Sequence, residues 1–155
     1  MAFTKSNDYL TGRKPVPTPA DASLACVRFE LALATGDLAL NTIGAIGVLP
    51  AGYIPVDVYV DGSDMDSSTA ALILDIGVLD AAGTAISTAA GDGGGKWGST
   101  TAVNTAFYQR LTPTLNAMAT VLPATADRQI AVKVATAPTT AVAGTLGVTL
   151  FYRAP

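Results

Sequence analysis

Apolar and polar residues alternate along several short segments of this chain. In the first segment, Cys26–Leu33, every second residue from Val27 onward is apolar, and Arg28 and Glu30 occupy positions between them. Because successive side chains of a β-strand point to opposite faces, a period of two predicts strands that bury one face. The alternation recurs in segments that begin at Tyr53, Ala70, Gln129 and Thr145.

Turn-forming residues separate these segments and help to define the fold. The segment from Tyr53 places every second residue from Ile54 to Val60, including Val56, on its apolar face. A tight turn at residues 80–83 leads into a predicted strand at 84–88, and we predict mainly strand for residues 99–122. About eight strands with connections of unequal length favour an all-β, Greek-key or jelly-roll-like β-sandwich over a meander.

The first 22 residues differ from the rest because alternate prolines at 15, 17 and 19 favour polyproline II. Such a segment cannot join the interior of a sheet, and at about 3.1 Å per residue it would extend well past its own domain. We therefore divide the chain into an extended N-terminal arm, residues 1–22, and a β-sandwich domain, residues 23–155. Two interpretations stay open: the arm docks on a neighbouring subunit, or it is a disordered tail.

The composition predicts self-association. Half of the residues are hydrophobic, but only 14% are charged, whereas soluble domains usually carry about 25%. Neutral faces with few charges do little to prevent association. The sequence shows no signal peptide and no apolar run of membrane-spanning length, so we expect a soluble protein without a membrane partner.

The charges are sorted along the chain. From Phe29 to Gly95 there are nine acidic residues and no base, and from Lys96 onward there are five bases and one acid, Asp127. If this sorting persists in space, opposite flanks would suit head-to-tail contacts in a ring. If strands of the two halves interleave, the sorting disappears. The isoelectric point of about 4.6 and the scattered bases argue against a nucleic-acid partner.

Candidate catalytic chemistry is sparse. The chain contains no histidine, the commonest general base and metal ligand at neutral pH. A carboxylate pair such as Asp57 with Asp75 would need both groups to face one cleft. The single cysteine, Cys26, lies in the first alternating segment, where we expect a small apolar filler. We predict no enzyme activity, no catalytic residue and no cofactor.

Two loops carry patterns that resemble binding motifs. Residues 61–66 contain three aspartates, but their spacing is not that of an EF-hand, so we predict a solvated turn without metal. Residues 93–98 formally satisfy G-x-G-x-x-G. However, Ala90 stands where a phosphate loop needs glycine and Trp97 follows Lys96, which favours a flexible loop. Trp97 is interpreted in two ways, as an anchor of an interface or as a cap on the core.

Several framework segments resemble a recurring group of tailed-bacteriophage virion proteins, the head decoration or cement proteins. These segments are residues 36–41 with 46–52, residues 72–87, and residues 127–134 with 144–152. The resemblance implies a small jelly-roll-like subunit, commonly trimeric, on the outer surface of the capsid. There it would bridge major capsid protein subunits against the pressure of packaged DNA. Residues 1–22 and 91–104 lie outside the resemblance.

We therefore expect a structural virion protein, made in the host cytoplasm, whose partners are the major capsid protein and other copies of itself in a homotrimer. The candidate partner contacts are Arg13, Lys14, Pro15, Pro17, Pro19, Lys96 and Trp97. The alternative is a receptor- or carbohydrate-binding module of a phage tail or fibre. Its signature would be several exposed aromatic side chains on one face. An enzyme that uses carboxylates without histidine is a third hypothesis.

Overall fold

The computed structural model describes residues 2–21, 23–113 and 117–155, which form two antiparallel β-sheets around one core. The strands are β1 (Ala25–Leu33), β2 (Ile43–Leu49), β3 (Ile54–Gly62), β4 (Ile73–Val78), β5 (Gly98–Ser99), β6 (Phe107–Arg110), β7 (Thr112–Pro113), β8 (Arg128–Thr136) and β9 (Gly144–Arg153). Short 3₁₀ turns lie at Thr35–Leu38, Ala90–Asp92 and Met118–Thr120. No helix among the described residues is long and apolar enough to span a bilayer.

The strand order identifies the architecture. The first sheet has the order β1-β9-β3-β6, and the second has the order β2-β8-β4-β5-β7. The first and last strands are neighbours, and strands β1 to β4 alternate between the two sheets. This winding is typical of a jelly roll, in which two Greek keys form a double sheet. The predicted jelly-roll-like β-sandwich of about eight strands is confirmed.

The interior contains the residues that the alternation assigns to it. Along β1, buried and exposed positions alternate without interruption, and Phe29 is fully buried. The inward residues of β9, from Leu146 to Tyr152, are fully buried as well. Cys26 lies on the opposite face of β1, beside Phe151, and is exposed. The prediction that it fills the core is wrong, because its position has the phase of the polar residues.

A β-bulge changes the expected pattern in β3. The register with β9 shifts between Pro55 and Asp57, so one extra residue enters the strand. Val58 and Val60 are buried as predicted, whereas Val56 is 42% exposed. The prediction that Val56 faces the core is wrong because a bulge reverses the side-chain phase on one side of it.

The middle of the chain contains less strand than the sequence predicts. The turn at residues 80–83 is confirmed, with the Asp80 amide donating to the Ala85 carbonyl at 2.9 Å. The strand predicted after it is reduced to one bridge between Leu79 and Ile86. Residues 99–122, predicted to be mainly strand, contribute only short strands and a 3₁₀ turn, and residues 114–116 lie outside the described chain.

The N-terminal segment packs along its own sandwich. Residues 2–10 occupy the seam between β1 and β2, the edge strands of the two sheets, where the Tyr9 ring meets Phe29 edge-on at 4.9 Å. A Cβ atom at Gly44 in β2 would overlap the ring of Phe3. The sequence predicts an arm that extends past its own domain, whereas residues 2–10 lie against that domain. Met1 and Ala22 lie outside the described residues.

Candidate functional site

The predicted contact residues of the arm lie on an exposed turn and the extended segment after it. The Arg13 side chain is 79% exposed, and its guanidinium is 3.9 Å from the Asp8 carboxylate. The Lys14 ammonium lies 4.8 Å from the centre of the Tyr9 ring. Pro15 is exposed. Because the two cations are exposed and only weakly paired, they are available to a partner.

Pro17 and Pro19 are partly engaged by the body of the chain. The Tyr152 hydroxyl donates to the Pro17 carbonyl at 2.5 Å, and the Tyr53 hydroxyl donates to the Pro19 carbonyl at 2.5 Å. The two tyrosine rings pack edge to face, 5.6 Å apart. Burial raises the pKa of Tyr152 to about 12, so its hydroxyl stays a donor across the physiological range. These bonds hold the extended segment against the sandwich.

Lys96 and Trp97 are neighbours in sequence with different surroundings. The Lys96 ammonium lies 3.0 Å from the Asp75 carboxylate, and its side chain is 41% exposed. Trp97 is fully buried, and its indole N–H donates to the Asp92 carbonyl at 3.0 Å. The Trp97 ring is therefore unavailable to a partner in this structure, which favours its interpretation as a cap on the core. Two strands, β8 and β4, separate this region from the arm beside β2.

The charge sorting seen in the sequence disappears in three dimensions. Bases of the second half pair with acids of the first: Lys96 with Asp75, Arg110 with Asp57, and Arg128 with Asp92. The β-sandwich brings the two halves together because each sheet contains strands from both halves. Opposite charged flanks therefore do not form, and the alternative expectation is confirmed.

The outer face of the first sheet carries a row of aromatic side chains. Tyr59 stacks on Tyr108 at 5.4 Å between ring centres and meets Phe151 at 5.9 Å. Tyr108 is 69% exposed. Aromatic and arginine side chains are enriched where proteins bind partners. A usable signal was present in the sequence, since Tyr59 and Phe151 occupy positions that the alternation assigns to solvent.

Ion pairs border this aromatic row. The Arg28 guanidinium reaches across β9 to the Asp61 carboxylate, with Nε 3.1 Å from Oδ1, and it also contacts Glu30. Gly147 of β9 leaves the space for this pair, because a Cβ atom there would overlap both Arg28 and Asp61. Because Arg28 and Asp61 pair with each other, the neighbouring aromatic rings are the part of this face that can contact a partner.

A cavity of about 400 Å³ opens at one end of the same sheet. It lies where β3 begins and β9 ends, and Arg110 and Arg153 are among its lining residues. The Arg110 Nε atom lies 3.1 and 2.9 Å from the two oxygens of the Asp57 carboxylate. The exposed Val56, displaced by the bulge, also lines the cavity. The sequence does not indicate this site because its residues come from distant segments.

The structure also places the carboxylates that the sequence offered as candidate catalytic or metal-binding groups. Asp57 and Asp75 lie on different sheets, each paired with a base, so they do not share a cleft. The loop at 61–66 is not a solvated turn, since Asp66 is fully buried and accepts amide N–H bonds from Ala71, Thr139 and Thr140. Within the described ranges, no three metal-ligating side chains form a group.

Comparisons with known proteins point to phage capsids. No protein-family model matches the chain, and no curated protein matches it. A chain from the capsid of Ralstonia phage GP4 is 25% identical, with a TM-score of 0.73 over 97% of both chains. A chain from the cyanophage Pam1 capsid asymmetric unit shares the fold, with 16% identity and a TM-score of 0.52 over 93% of this chain and 96% of that one. These similarities support a phage capsid-related structural protein.

Proposed function

We propose that this chain is a decoration protein, which binds the outer surface of a phage capsid as a homotrimer and bridges major capsid protein subunits. The observation that carries the proposal is the similarity to a capsid component of Ralstonia phage GP4 over 97% of both chains. Because the coverage is nearly complete on both sides, the two chains have similar lengths and the same single-sandwich design. The protein is made in the host cytoplasm and acts on the virion.

A bridging protein needs at least two contact surfaces, and two separate regions of the chain support the proposal. The first surface is the arm, in which Arg13, Lys14 and Pro15 follow the segment whose Asn7 joins β1 and β2. Pro17 and Pro19 accept hydrogen bonds from Tyr152 of β9 and from Tyr53. Lys96 precedes β5, near the edge of the second sheet that is farther from β2. Contacts at both places hold two neighbouring capsid subunits together. On a repeating lattice, many individually weak contacts add up to firm attachment through multivalency.

The test uses purified capsids that lack this protein. We expect the added chain to bind at saturable sites on the outer surface and to raise the temperature at which the capsids release their DNA. Cryo-electron microscopy gives the occupancy and the symmetry of the bound copies, and a DNA-binding dye reports the release. A chain that leaves both occupancy and release temperature at the level of a buffer control contradicts the proposal.

One observation favours a second candidate function, carbohydrate binding by a phage tail or fibre. The aromatic row of Tyr59, Tyr108 and Phe151 is the signature expected of such a module. A glycan array distinguishes the two functions. A hit that is lost in Tyr108→Ala supports carbohydrate binding, whereas an array without hits removes this candidate.

A further inference from the structure

The cavity at the end of the first sheet combines an apolar wall with two arginines. Its volume of about 400 Å³ is within the range of small-ligand and side-chain pockets. The lining includes Ile54, Val56, Met118, Val121, Arg110 and Arg153. Such a combination suits a ligand that presents an apolar group next to a negative charge.

The apolar wall depends on the β-bulge in β3. The extra residue between Pro55 and Asp57 turns Val56 away from the core, so that this valine is 42% exposed. A regular strand would bury Val56 and leave the cavity without this side chain. Bulges are over-represented next to functional sites because they redirect individual side chains.

The two guanidinium groups give the cavity a net positive charge. Asp57 neutralises Arg110 through Nε alone, and within the described chain no hydrogen-bond partner lies at the two terminal nitrogens of Arg110. Arg153 donates to the Ala154 carbonyl at 2.9 Å, and among residues 2–21, 23–113 and 117–155 no carboxylate lies within 4.0 Å of it. Arginine binds carboxylates through paired N–H donors, which makes an acidic ligand complementary.

We infer that this cavity binds an acidic segment of a protein partner, in which an aspartate or glutamate stands beside an aliphatic residue. The inference rests on the proposed function, and it specifies the chemistry that the capsid protein offers at this contact. The carboxylate pairs with Arg153 and the terminal nitrogens of Arg110, while the aliphatic neighbour packs on Ile54 and Val56. A nucleic-acid backbone provides the negative charge but not the aliphatic group.

The first experiment tests the chemistry without capsids. The isotope-labelled protein is titrated with the blocked peptide acetyl-Leu-Glu-Leu-amide and, separately, with acetyl-Leu-Gln-Leu-amide, and NMR shifts are followed. We expect the glutamate peptide to shift the signals of Ile54, Val56 and Arg153 and to bind at least about tenfold more tightly than the glutamine peptide. The preference should fall in Arg153→Gln, where only Arg110 still pairs with the carboxylate, and fall less in Arg153→Lys. Equal shifts with both peptides overturn the inference.

The second experiment places the site on the particle. A photo-crosslinking benzoyl-phenylalanine replaces Val56, and the same group replaces Leu40, an exposed residue outside the cavity, as the control. We expect cross-links from position 56 to a capsid-protein peptide that contains Asp or Glu. If the protein binds capsids without such a cross-link, and Arg153→Gln binds them as well as the wild type does, the inference is refuted but the proposed function stands. If the protein prefers the glutamate peptide but does not bind capsids, the proposed function alone is refuted.

Discussion

The side-chain amide of Asn7 donates a hydrogen bond of 2.7 Å to the Ile46 carbonyl in β2. The same nitrogen donates to the Glu30 carbonyl in β1 at 3.1 Å. Since β1 and β2 are the edge strands of different sheets, one side chain joins the two sheets of the sandwich. It also occupies carbonyls that an exposed edge would offer to a foreign strand. The arm therefore covers part of the two edge strands and limits their pairing with a foreign strand.

Replacing Asn7 should weaken this seam. Asn7→Ala leaves two strand carbonyls without their protein donor, and we expect the free energy of unfolding to fall by about 1–3 kcal/mol. Asn7→Asp should behave similarly, because a carboxylate cannot donate. Urea denaturation measures the change, with Ser6→Ala at an exposed neighbouring position as the control. Equal midpoints for Asn7→Ala and the control would show that the two hydrogen bonds contribute nothing.

The two glycines Gly47 and Gly36 provide a matched test of packing. A Cβ atom at Gly47 would overlap the fully buried Phe29 ring, whereas one at Gly36 would meet nothing within 4 Å. We expect Gly47→Ala to destabilise the protein by about 1–3 kcal/mol, as overpacked cores do. Gly36→Ala should leave the thermal midpoint nearly unchanged. The prediction fails if calorimetry gives the two variants the same midpoint.

Because Trp97 is fully buried, a substitution there tests whether its role is structural or a contact with a partner. Trp97→Phe removes the hydrogen bond to the Asp92 carbonyl and leaves unfilled volume, so we expect stability to fall by about 1–3 kcal/mol. Occupancy on capsids at low temperature should stay at the wild-type level. Tryptophan fluorescence of the wild type should be blue-shifted and poorly quenched by acrylamide. Lost occupancy in a folded Trp97→Phe variant would instead support the contact role.

The alternating pattern predicted the sandwich because a strand with one buried face repeats its chemistry every two residues. Phe29 in β1 and Val148 in β9 obey this rule and are fully buried. Val56 does not, because a single inserted residue changes the phase and leaves no mark in the apolar pattern. The sequence also did not indicate the partners of Asn7, since any residue has a backbone carbonyl. Those partners are 23 and 39 residues away.

The sequence predicted candidate contact residues only where they are neighbours in one segment of the chain. Arg13 and Lys14 lie together in sequence and remain together on the exposed arm. The cavity instead joins Val56, Arg110 and Arg153, which the register of β3 with β6 and β9 brings to one end of the sheet. Such a site depends on strand pairing that the alternation alone does not specify.

Two buried carboxylates should make the protein sensitive to acid. Burial alone would raise the pKa of Asp66, but amide donors at Thr140, Thr139 and Ala71 outweigh it and hold the pKa below its ordinary value. The pKa of Asp37 is lowered in the same way, by Ala34 and Thr4. A lowered folded-state pKa contributes stability that is fully present above the unfolded value of 3.8 and is lost as the pH falls through the folded one.

We therefore expect a nearly constant unfolding midpoint from neutral pH down to about 5 and a decline below about 4. Asp66→Asn should be less stable at neutral pH and should show a smaller decline in acid. Chemical denaturation across the pH series measures both effects. A wild type and an Asp66→Asn variant whose stabilities fall in parallel below pH 4 would exclude Asp66 as a source of the acid sensitivity.

Truncation and charge removal distinguish the stabilising role of the arm from its proposed contact with the capsid. Deleting residues 1–22 removes the two Asn7 hydrogen bonds and the contacts of Phe3 and Tyr9. We expect lower stability and, because the edge strands become exposed, concentration-dependent aggregation. We also expect weaker attachment to capsids. The double variant Arg13→Gln with Lys14→Gln keeps the seam intact. Its free energy of unfolding should match that of the wild type within about 0.5 kcal/mol, because the two cations are exposed.

The charge variant should nevertheless lose capsid occupancy, and the loss should be largest at low salt, where exposed charges are screened least. Lys5→Gln is the matched control, since it removes one exposed arm cation outside the turn. Occupancy is read from particle images at several salt concentrations. If the double variant binds as the wild type does at every concentration while the truncation detaches, the arm acts only by stabilising its own sandwich. The contact with the capsid then lies elsewhere on the subunit.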